Sequence, residues 1–307
     1  MTAGTRVDVL IIGGGPAGVS CALELQDSGV DYLLLEASEE LGGQIASIPH
    51  TIKNLASGFF RDGKELQEHL VALVERMRCR YLPAHPVTEA RLSAMCISAG
   101  AKTFSAEAIV IASGSRVRTL PIGRHGDFSE HIFYRIEGQH SQLKGRNVAV
   151  VGGADSACLD ALEVAAICPQ VYLVHRKDRL TARPDIVRAT HAHPRIKLVL
   201  SSQVHALIGE RHLEGIKVVA AGQASAIELP VSNLVVQIGR EPNSEPFRGQ
   251  LDMDDKGHIK IGVDCSTSGA GVFAAGDVAF PSYPRIATAI GQGMTAAAAA
   301  RRFIGNM

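Results

Sequence analysis

Several things are scarce in this sequence, and each scarcity narrows what the chain can be. Tryptophan is absent, and aromatic residues make up 5% of the 307 positions. Charge of one sign is not in excess: Lys+Arg and Asp+Glu both count 31. A nucleic-acid partner needs a basic footprint, so none is expected. No apolar run reaches the roughly 20 residues of a membrane helix, which excludes a spanning segment of that kind. The six cysteines are Cys21, Cys79, Cys96, Cys158, Cys168 and Cys265, and no two stand in C-x-x-C spacing. Metal-ligand clusters and local redox pairs are therefore not expected, nor is a bound metal. Most thiols should act as small buried hydrophobes. The twelve histidines form no Ser/His/Asp or metal pattern, so no catalytic histidine is expected. Strand-like sequence begins by Val7, which leaves no room for a leader, and a cytoplasmic protein is expected.

What is present is apolar and glycine-punctuated. Apolar residues make up 46% of the chain, enough for a substantial core, and the length suits two domains. The first organising stretch is Val7 to Glu36. Val-Asp-Val-Leu-Ile-Ile is short, apolar and β-branched, the pattern of a buried parallel strand. Gly13, Gly15 and Gly18 then fit G-x-G-x-x-G where a helix should begin. One glycine makes the tight turn, one lets a pyrophosphate approach the backbone, and one lets the helix lie close on the strand. Unpaired N–H groups and the helix dipole favour the anion there. Glu36 closes the next strand eighteen positions after Gly18, where an acid takes ribose hydroxyls. This unit reads as a site for FAD or NAD.

A second unit repeats the pattern. Val148–Val151 reads as a strand, Gly152-Gly153-Ala154-Asp155-Ser156-Ala157 as the turn, Cys158–Ile167 as the helix and Val171–Val174 as the next strand. It ends in His175-Arg176-Lys177 instead of an acid. A 2′-phosphate wants a guanidinium or ammonium at that place, so this unit reads as a site for NADPH rather than NADH. Ala154 replaces the middle glycine, which should hold a pyrophosphate slightly farther off.

Other segments have readable patterns. Gly42 and Gly43 permit close approach to a ligand. Gly63–Arg78 is an amphipathic helix whose inner face carries Leu66, Leu70, Leu73, Val74 and Met77. Leu92–Ser98 and Lys102–Ser105 read as a hairpin about Ala99-Gly100-Ala101. Ala108–Ala112 reads as a separate buried strand followed by Ser113-Gly114-Ser115, small residues that suit a ligand crevice. Ile196–Leu200, Gly215–Ala220 and Leu234–Ile238 read as strands. Pro242 and Pro246 mark a return crossing. An alanine-rich helix is expected from Ile286 to Phe303.

Taken together, Gly13–Gly18, Gly42-Gly43-Gln44, Ile111–Gly114, Gly152–Ala157, His175–Asp178, Ile238–Asn243, Gly276-Asp277 and Arg285–Ala289 resemble the low-molecular-weight thioredoxin reductases and the thioredoxin-reductase-like ferredoxin–NADP reductases. The matching segments run in family order over nearly the whole chain. The resemblance implies an α/β fold of two Rossmann-like, three-layer ββα domains, with the NAD(P)H domain (118–244) inserted into a discontinuous FAD domain (1–117 and 245–307). It implies FAD contacts from Gly13, Gly15, Pro16, Ala17, Gly18, Glu36, Gly43, Gln44, Asn54, Ala112, Gly114, Gly276, Asp277, Ile286 and Ala287. Asp277 would hold the ribityl chain, and the helix start at Ile286 and Ala287 would meet the flavin pyrimidine edge. It implies NADPH contacts from Gly152, Gly153, Ala154, Asp155, Ser156, Ala157, His175, Arg176, Lys177, Ile238, Gly239 and Arg240. Hydride would pass from nicotinamide C4 to flavin N5. A homodimer is also implied.

The chain departs from that resemblance where it matters for the acceptor. Thioredoxin reductases carry a C-x-x-C just before the second glycine loop, and here Tyr134-Arg-Ile-Glu-Gly138 stands instead. Disulfide exchange needs an attacking thiolate and a resolving partner. The expectation is an FAD-dependent NAD(P)H oxidoreductase with a non-thiol acceptor, a ferredoxin or flavodoxin first and a small molecule otherwise. Two alternatives stay open: a dithiol enzyme using distant cysteines such as Cys158, and a flavin-binding sensor without efficient turnover. The segment after Gln44 lacks an aromatic residue, no extension follows the last helix, and Thr181 stands where the family's basic stretch adds an arginine.

Overall fold

The computed structural model describes residues 5–123, 126–222, 225–279 and 284–305. The chain divides into two compact units, Met1–Arg116 with Glu241–Met307, and Val117–Arg240. Each crossing between them is a short strand, Ser115–Val117 outward and Arg240–Pro242 back, and the two strands pair.

In the first unit the strand Thr5–Ile12 lies in register between Tyr32–Leu35 and Lys102–Ile111, parallel to both. Tyr81–Leu82 and Val272–Ala274 extend the parallel sheet. Val9, Leu10 and Ile11 are fully buried. Alternate side chains serve opposite layers, as the two-residue period of a strand requires. Val9 and Ile11 pack with the helices Pro16–Asp27, Gly63–Arg76 and Ile286–Gly305. Leu10 and Ile12 pack with an antiparallel meander and the Phe247–Ile259 region. The result is three layers: helices, parallel sheet, meander.

The meander differs from the expected hairpin. Its strands are Val87–Arg91, Cys96–Ala99 and the start of Lys102–Ile111. Leu92–Ala94 is a single 3₁₀ turn closed by Met95 at φ 49°, so it is not strand. The separate strand expected at Ala108 is the continuation of Lys102–Ile111, because no turn residue interrupts the run. Its first half pairs with Cys96–Ala99, and its second half with Val272–Ala274. The helix from Gly63 stops at Arg76, and Met77 is exposed instead of facing the core.

The second unit repeats the layering. Five parallel strands run in the order Ile132–Phe133, Asn233–Val236, Val148–Val151, Val171–Val174, Ile196–Val199. Helices Asp155–Ile167 and Pro184–Ala192 contribute to the core on one face. The antiparallel strands Ser202–Ile208, Gly215–Ala220 and Ala226–Leu229 contribute to the core on the other. The helix after the glycine loop begins at Asp155, three residues earlier than expected, because Ala154 is already its extended N-cap. Among the described residues, no helix is long and apolar enough to cross a membrane.

Candidate dinucleotide sites

The first glycine loop shows why glycine is required at Gly13 and Gly18. Gly13 has φ +106°, and a Cβ there would stand 2.4 Å from the Ala112 carbonyl oxygen. A Cβ on Gly18 would fall 1.8 Å from the Gly13 oxygen, so only glycine lets the helix sit this close to the strand. Gly15 is different: its φ is −73°, and a Cβ there would meet nothing within 4 Å. The backbone therefore does not itself demand glycine there; the space above Gly15 is left open, as a ligand cradle would need. Pro16 opens the helix at a position that needs no N–H donor. Ala17 and Gly18 follow in its first turn, where N–H groups lack intrahelical partners.

Glu36 stands fixed at the edge of this cradle. It is buried, its Oε2 accepts the Gly14 N–H at 2.5 Å, and its Oε1 accepts the Ser38 N–H at 2.8 Å and the Ser38 hydroxyl at 2.6 Å. Gly43, at φ +57°, comes so near that a Cβ would lie 3.2 Å from Gly15 Cα. From the adjoining turn, Gln44 Nε2 donates to Asp277 Oδ2 at 2.7 Å, and the Ser115 hydroxyl donates to the same oxygen at 3.1 Å. Gly276, before Asp277, is left-handed at φ +76° and lies against Ala17. Gly114, at φ +67°, gives its carbonyl to the Asn243 N–H at 3.0 Å. Ile286 opens the last helix, with Ala287 exposed beside it. Asn54 lies apart from these bonds, exposed on the small ribbon of Ile52–Leu55 and Gly58–Phe60. An open anion cradle, a fixed acid and a polar cluster at Asp277 together fit a dinucleotide.

The second loop is built by the same rules with one change. Gly152, at φ +149°, lies against Gln237, whose oxygen would be 2.4 Å from a Cβ. Gly153 lies under the His175 ring, with Nδ1 2.3 Å from where a Cβ would stand. Ala154 has φ −94° and ψ −177°, close to the −73° and −176° of Gly15. Alanine is unstrained there, but its methyl occupies the direction that Gly15 leaves open. Thr181 donates to the Gly153 oxygen from its N–H at 2.7 Å and its hydroxyl at 3.2 Å. The Arg183 N–H bonds Asp155 Oδ1 at 2.8 Å, and its guanidinium pairs with the same carboxylate. The segment after the basic stretch is thereby tied to the loop.

His175 is buried, with no partner for Nε2 among the described residues, and burial, then Lys177 and Arg176, hold its pKa below the usual imidazole value. Arg176 and Lys177 are exposed, and neither has an ion-pair partner among the described residues. Ser156 is exposed and Ala157 buried in the first turn of the helix. Across the strand ends, Ile238 and Gly239 follow Gln237, and the Gly239 and Arg240 carbonyls accept from Arg118 at 3.0 Å and 3.1 Å.

Residues 7–293 match the pyridine nucleotide-disulphide oxidoreductases. The chain belongs to that family. It is 30% identical over 305 residues to a thioredoxin reductase of Streptomyces clavuligerus, covering 97% of this chain and 94% of that one. It is 27% identical to a 34.2 kDa protein in the rubredoxin operon of Clostridium pasteurianum, covering 98% of both. Among solved structures it resembles Lactococcus lactis thioredoxin reductase, with TM-score 0.78, 25% identity, and coverage of 98% of this chain and 100% of that one. The protein is thus a thioredoxin-reductase-like, FAD-dependent NAD(P)H oxidoreductase with two Rossmann-like domains.

The segment Tyr134–Gly138 precedes the second glycine loop. It contains no thiol, and the Tyr134 carbonyl accepts from Gln237 Nε2 at 3.3 Å. The same amide donates to Asp160 Oδ2 at 2.6 Å. Burial raises the Asp160 carboxyl to about 6 against this bond, with Glu137 and Glu163 adding to the rise. The cysteines are elsewhere. Cys21, Cys158, Cys168 and Cys265 are buried, and Cys79 and Cys96 half-buried. Desolvation raises the thiols of Cys21, Cys79, Cys158 and Cys168, and that of Cys265 to about 11. Thiols held in this way are poor nucleophiles. Sequence reading placed Ser115 beside a ligand crevice without its bond to Asp277, and missed Ser38 and Thr181 as partners of the sites. Short polar residues in loops carry no periodic signal; Ser38 reaches Glu36 from two positions away, whereas only the fold brings Ser115 to Asp277 and Thr181 to Gly153.

Proposed function

We propose that this oxidoreductase carries electrons from NADPH through FAD to an acceptor that is not a disulfide, with a small redox protein of the ferredoxin or flavodoxin kind as first candidate. The observation that carries the reading is the absence of thiol from Tyr134–Gly138, with the remaining thiols buried or half-buried and scattered along the chain. Bound FAD supplies a centre that accepts a hydride from NADPH and can return the electrons one or two at a time.

The residues take these roles in the proposal. The unit Met1–Arg116 with Glu241–Met307 holds FAD. Its loop Gly13–Gly18 and the turn at Gly43 receive the pyrophosphate, with Ala112 and Gly114 bordering it. Glu36 accepts from ribose hydroxyls. Asp277, oriented by Gln44 and Ser115, takes the ribityl chain, and the helix start at Ile286–Ala287 places N–H dipoles at the pyrimidine edge. Val117–Arg240 holds NADPH, with Gly152–Ala157 under the pyrophosphate and Arg176 and Lys177 at the 2′-phosphate. Ile238, Gly239 and Arg240, which follow Gln237, are taken in this reading as further NADPH contacts. The assembly in this reading is a homodimer.

The purified protein, titrated anaerobically with NADPH, should bleach at its flavin band. It should then reduce a ferredoxin or flavodoxin faster than it reduces thioredoxin. NADPH-driven thioredoxin turnover would replace this reading with disulfide reduction. A flavin that NADPH does not bleach would replace it with a sensor.

A further inference from the structure

The Gly276–Asp277 turn is held from behind by a residue that no motif marks. Gln292 lies on the last helix, Ile286–Gly305, and its Oε1 accepts the Gly276 N–H at 2.9 Å. Gly276 is at φ +76°, and a Cβ there would lie 3.1 Å from Ala17 Cβ, so the turn is pressed against the first helix. Asp277, the next residue, is held through its carboxylate by Gln44 and Ser115. The turn is therefore pinned at two points, its leading N–H by Gln292 and its carboxylate by the other two.

Gln292 can act as a template because its own backbone is fixed. A Cβ on Gly293 would stand 2.1 Å from the Ala17 oxygen, so the two helices meet backbone to backbone there. The Ser20 hydroxyl donates to the Ile290 carbonyl at 2.9 Å, one turn away. The Gln292 carbonyl itself receives the Cys265 thiol at 3.5 Å. A backbone N–H can only face the oxygen of a carboxamide, so this bond also settles which way the amide is turned. Its Nε2 has no partner among the described residues.

We infer that Gln292 is a positioning residue for the flavin cofactor: its Oε1 fixes the Gly276–Asp277 turn so that Asp277 is presented to FAD. The inference rests on the reading of Met1–Arg116 with Glu241–Met307 as the FAD unit. Three variants of the full chain separate the two claims. Gln292→Met keeps length and helix preference but loses the acceptor. Gln292→Glu keeps the acceptor and adds a charge. Asp277→Ala removes the proposed ribityl contact. Each is stripped of flavin and titrated with FAD by fluorescence quenching, and the midpoint potential of the reloaded flavin is measured.

Gln292→Met should bind FAD about ten-fold more weakly, because binding must then order a turn whose N–H is no longer held. The flavin-free form should melt within a degree or two of the parent. Gln292→Glu should bind within about three-fold, while its flavin potential moves to more negative values, because an added anion disfavours the reduced flavin. If Gln292→Met binds as the parent does while Asp277→Ala loses FAD, the inference fails and the site reading stands. If Gln292→Glu is as weak as Gln292→Met, the role is not that of an acceptor and the inference also fails. If neither Gln292→Met nor Asp277→Ala weakens FAD, the site reading itself is wrong.

Discussion

Gln44 donates its side-chain amide to the carboxylate of Asp277 at 2.7 Å, across 233 positions of sequence. The two residues sit in motifs at opposite ends of the chain, and only closure of the first unit brings them together. Ser115 donates to the same oxygen, so among the described residues Asp277 is held by two neutral donors on one carboxylate oxygen. Gln44→Leu should therefore weaken FAD by about ten-fold through misplacement of Asp277. Equilibrium titration of the flavin-free protein measures this. Unchanged affinity would separate Gln44 from the site.

Glu36 is fixed by three donors, two of them from Ser38. Glu36→Ala should cost FAD on the order of 1.5–3 kcal/mol, as for a charged hydrogen bond lost. Ser38→Ala removes the hydroxyl donor but leaves the Gly14 N–H, so its effect should be a few-fold only. Flavin retained per protein after dilution reads both. Equal loss in the two variants would mean that Ser38, not the carboxylate, carries the contact.

Arg176 and Lys177 are exposed cations without ion-pair partners among the described residues. The double change to Ala should raise KM for NADPH at least ten-fold and leave that for NADH within two-fold. The loss should shrink as salt rises, because exposed charges are screened. Parallel loss with both nucleotides would make these side chains structural.

These tests probe a site that was unevenly legible. The glycine loops could be read because backbone geometry demands the residue: Gly13 and Gly18 stand where a Cβ would strike backbone. Glu36 could be read because it ends a strand at a fixed distance from the loop. The buried strands Thr5–Ile12 and Val148–Val151 were plain as apolar runs. Strands with polar outer faces were not. Val87–Arg91 reads Val-Thr-Glu-Ala-Arg and buries only Ala90, and Ala226–Leu229 buries only Leu229. Their pairing partners, not their own periodicity, make them strands. Ser38 and Gln292 were invisible for a similar reason: each acts on the site through hydrogen bonds formed in the folded chain, and polar residues of that kind leave no periodic mark.

Asp160 gives a pH test with a defined sign. Burial raises its carboxyl from 3.8 to about 6. The fold thus favours the protonated form. The stabilisation from that preference is complete below the unfolded value and is lost as pH rises through the folded one. Asp160→Asn keeps an oxygen for the Gln237 amide and removes the charge. Its melting temperature should exceed the parent's at pH 7.5 and match it near pH 4. An equal difference at both values would show that the Asp160 charge is not buried at a cost.

The final test concerns sulfur. If electrons leave by the flavin, no cysteine should be needed. Tyr134–Gly138 holds no thiol, so neither an attacker nor a resolving partner stands in that segment. The remaining thiols are poorly suited to replace them. Five have pKa values raised by desolvation, and Cys265 spends its S–H on the Gln292 carbonyl. Cys158 lies in the first turn of the helix Asp155–Ile167, near the glycine loop, yet it is buried against the strands. Cys21, Cys158, Cys168 and Cys265 should become Ala or Val to keep the core filled, since each is buried, and Cys79 and Cys96 can become Ser. The cysteine-free protein should reduce ferricyanide with NADPH within about three-fold of the parent, with the same flavin spectrum. A fall beyond ten-fold in a variant that still binds FAD would place a thiol in the electron path and return the protein to the disulfide chemistry of its relatives.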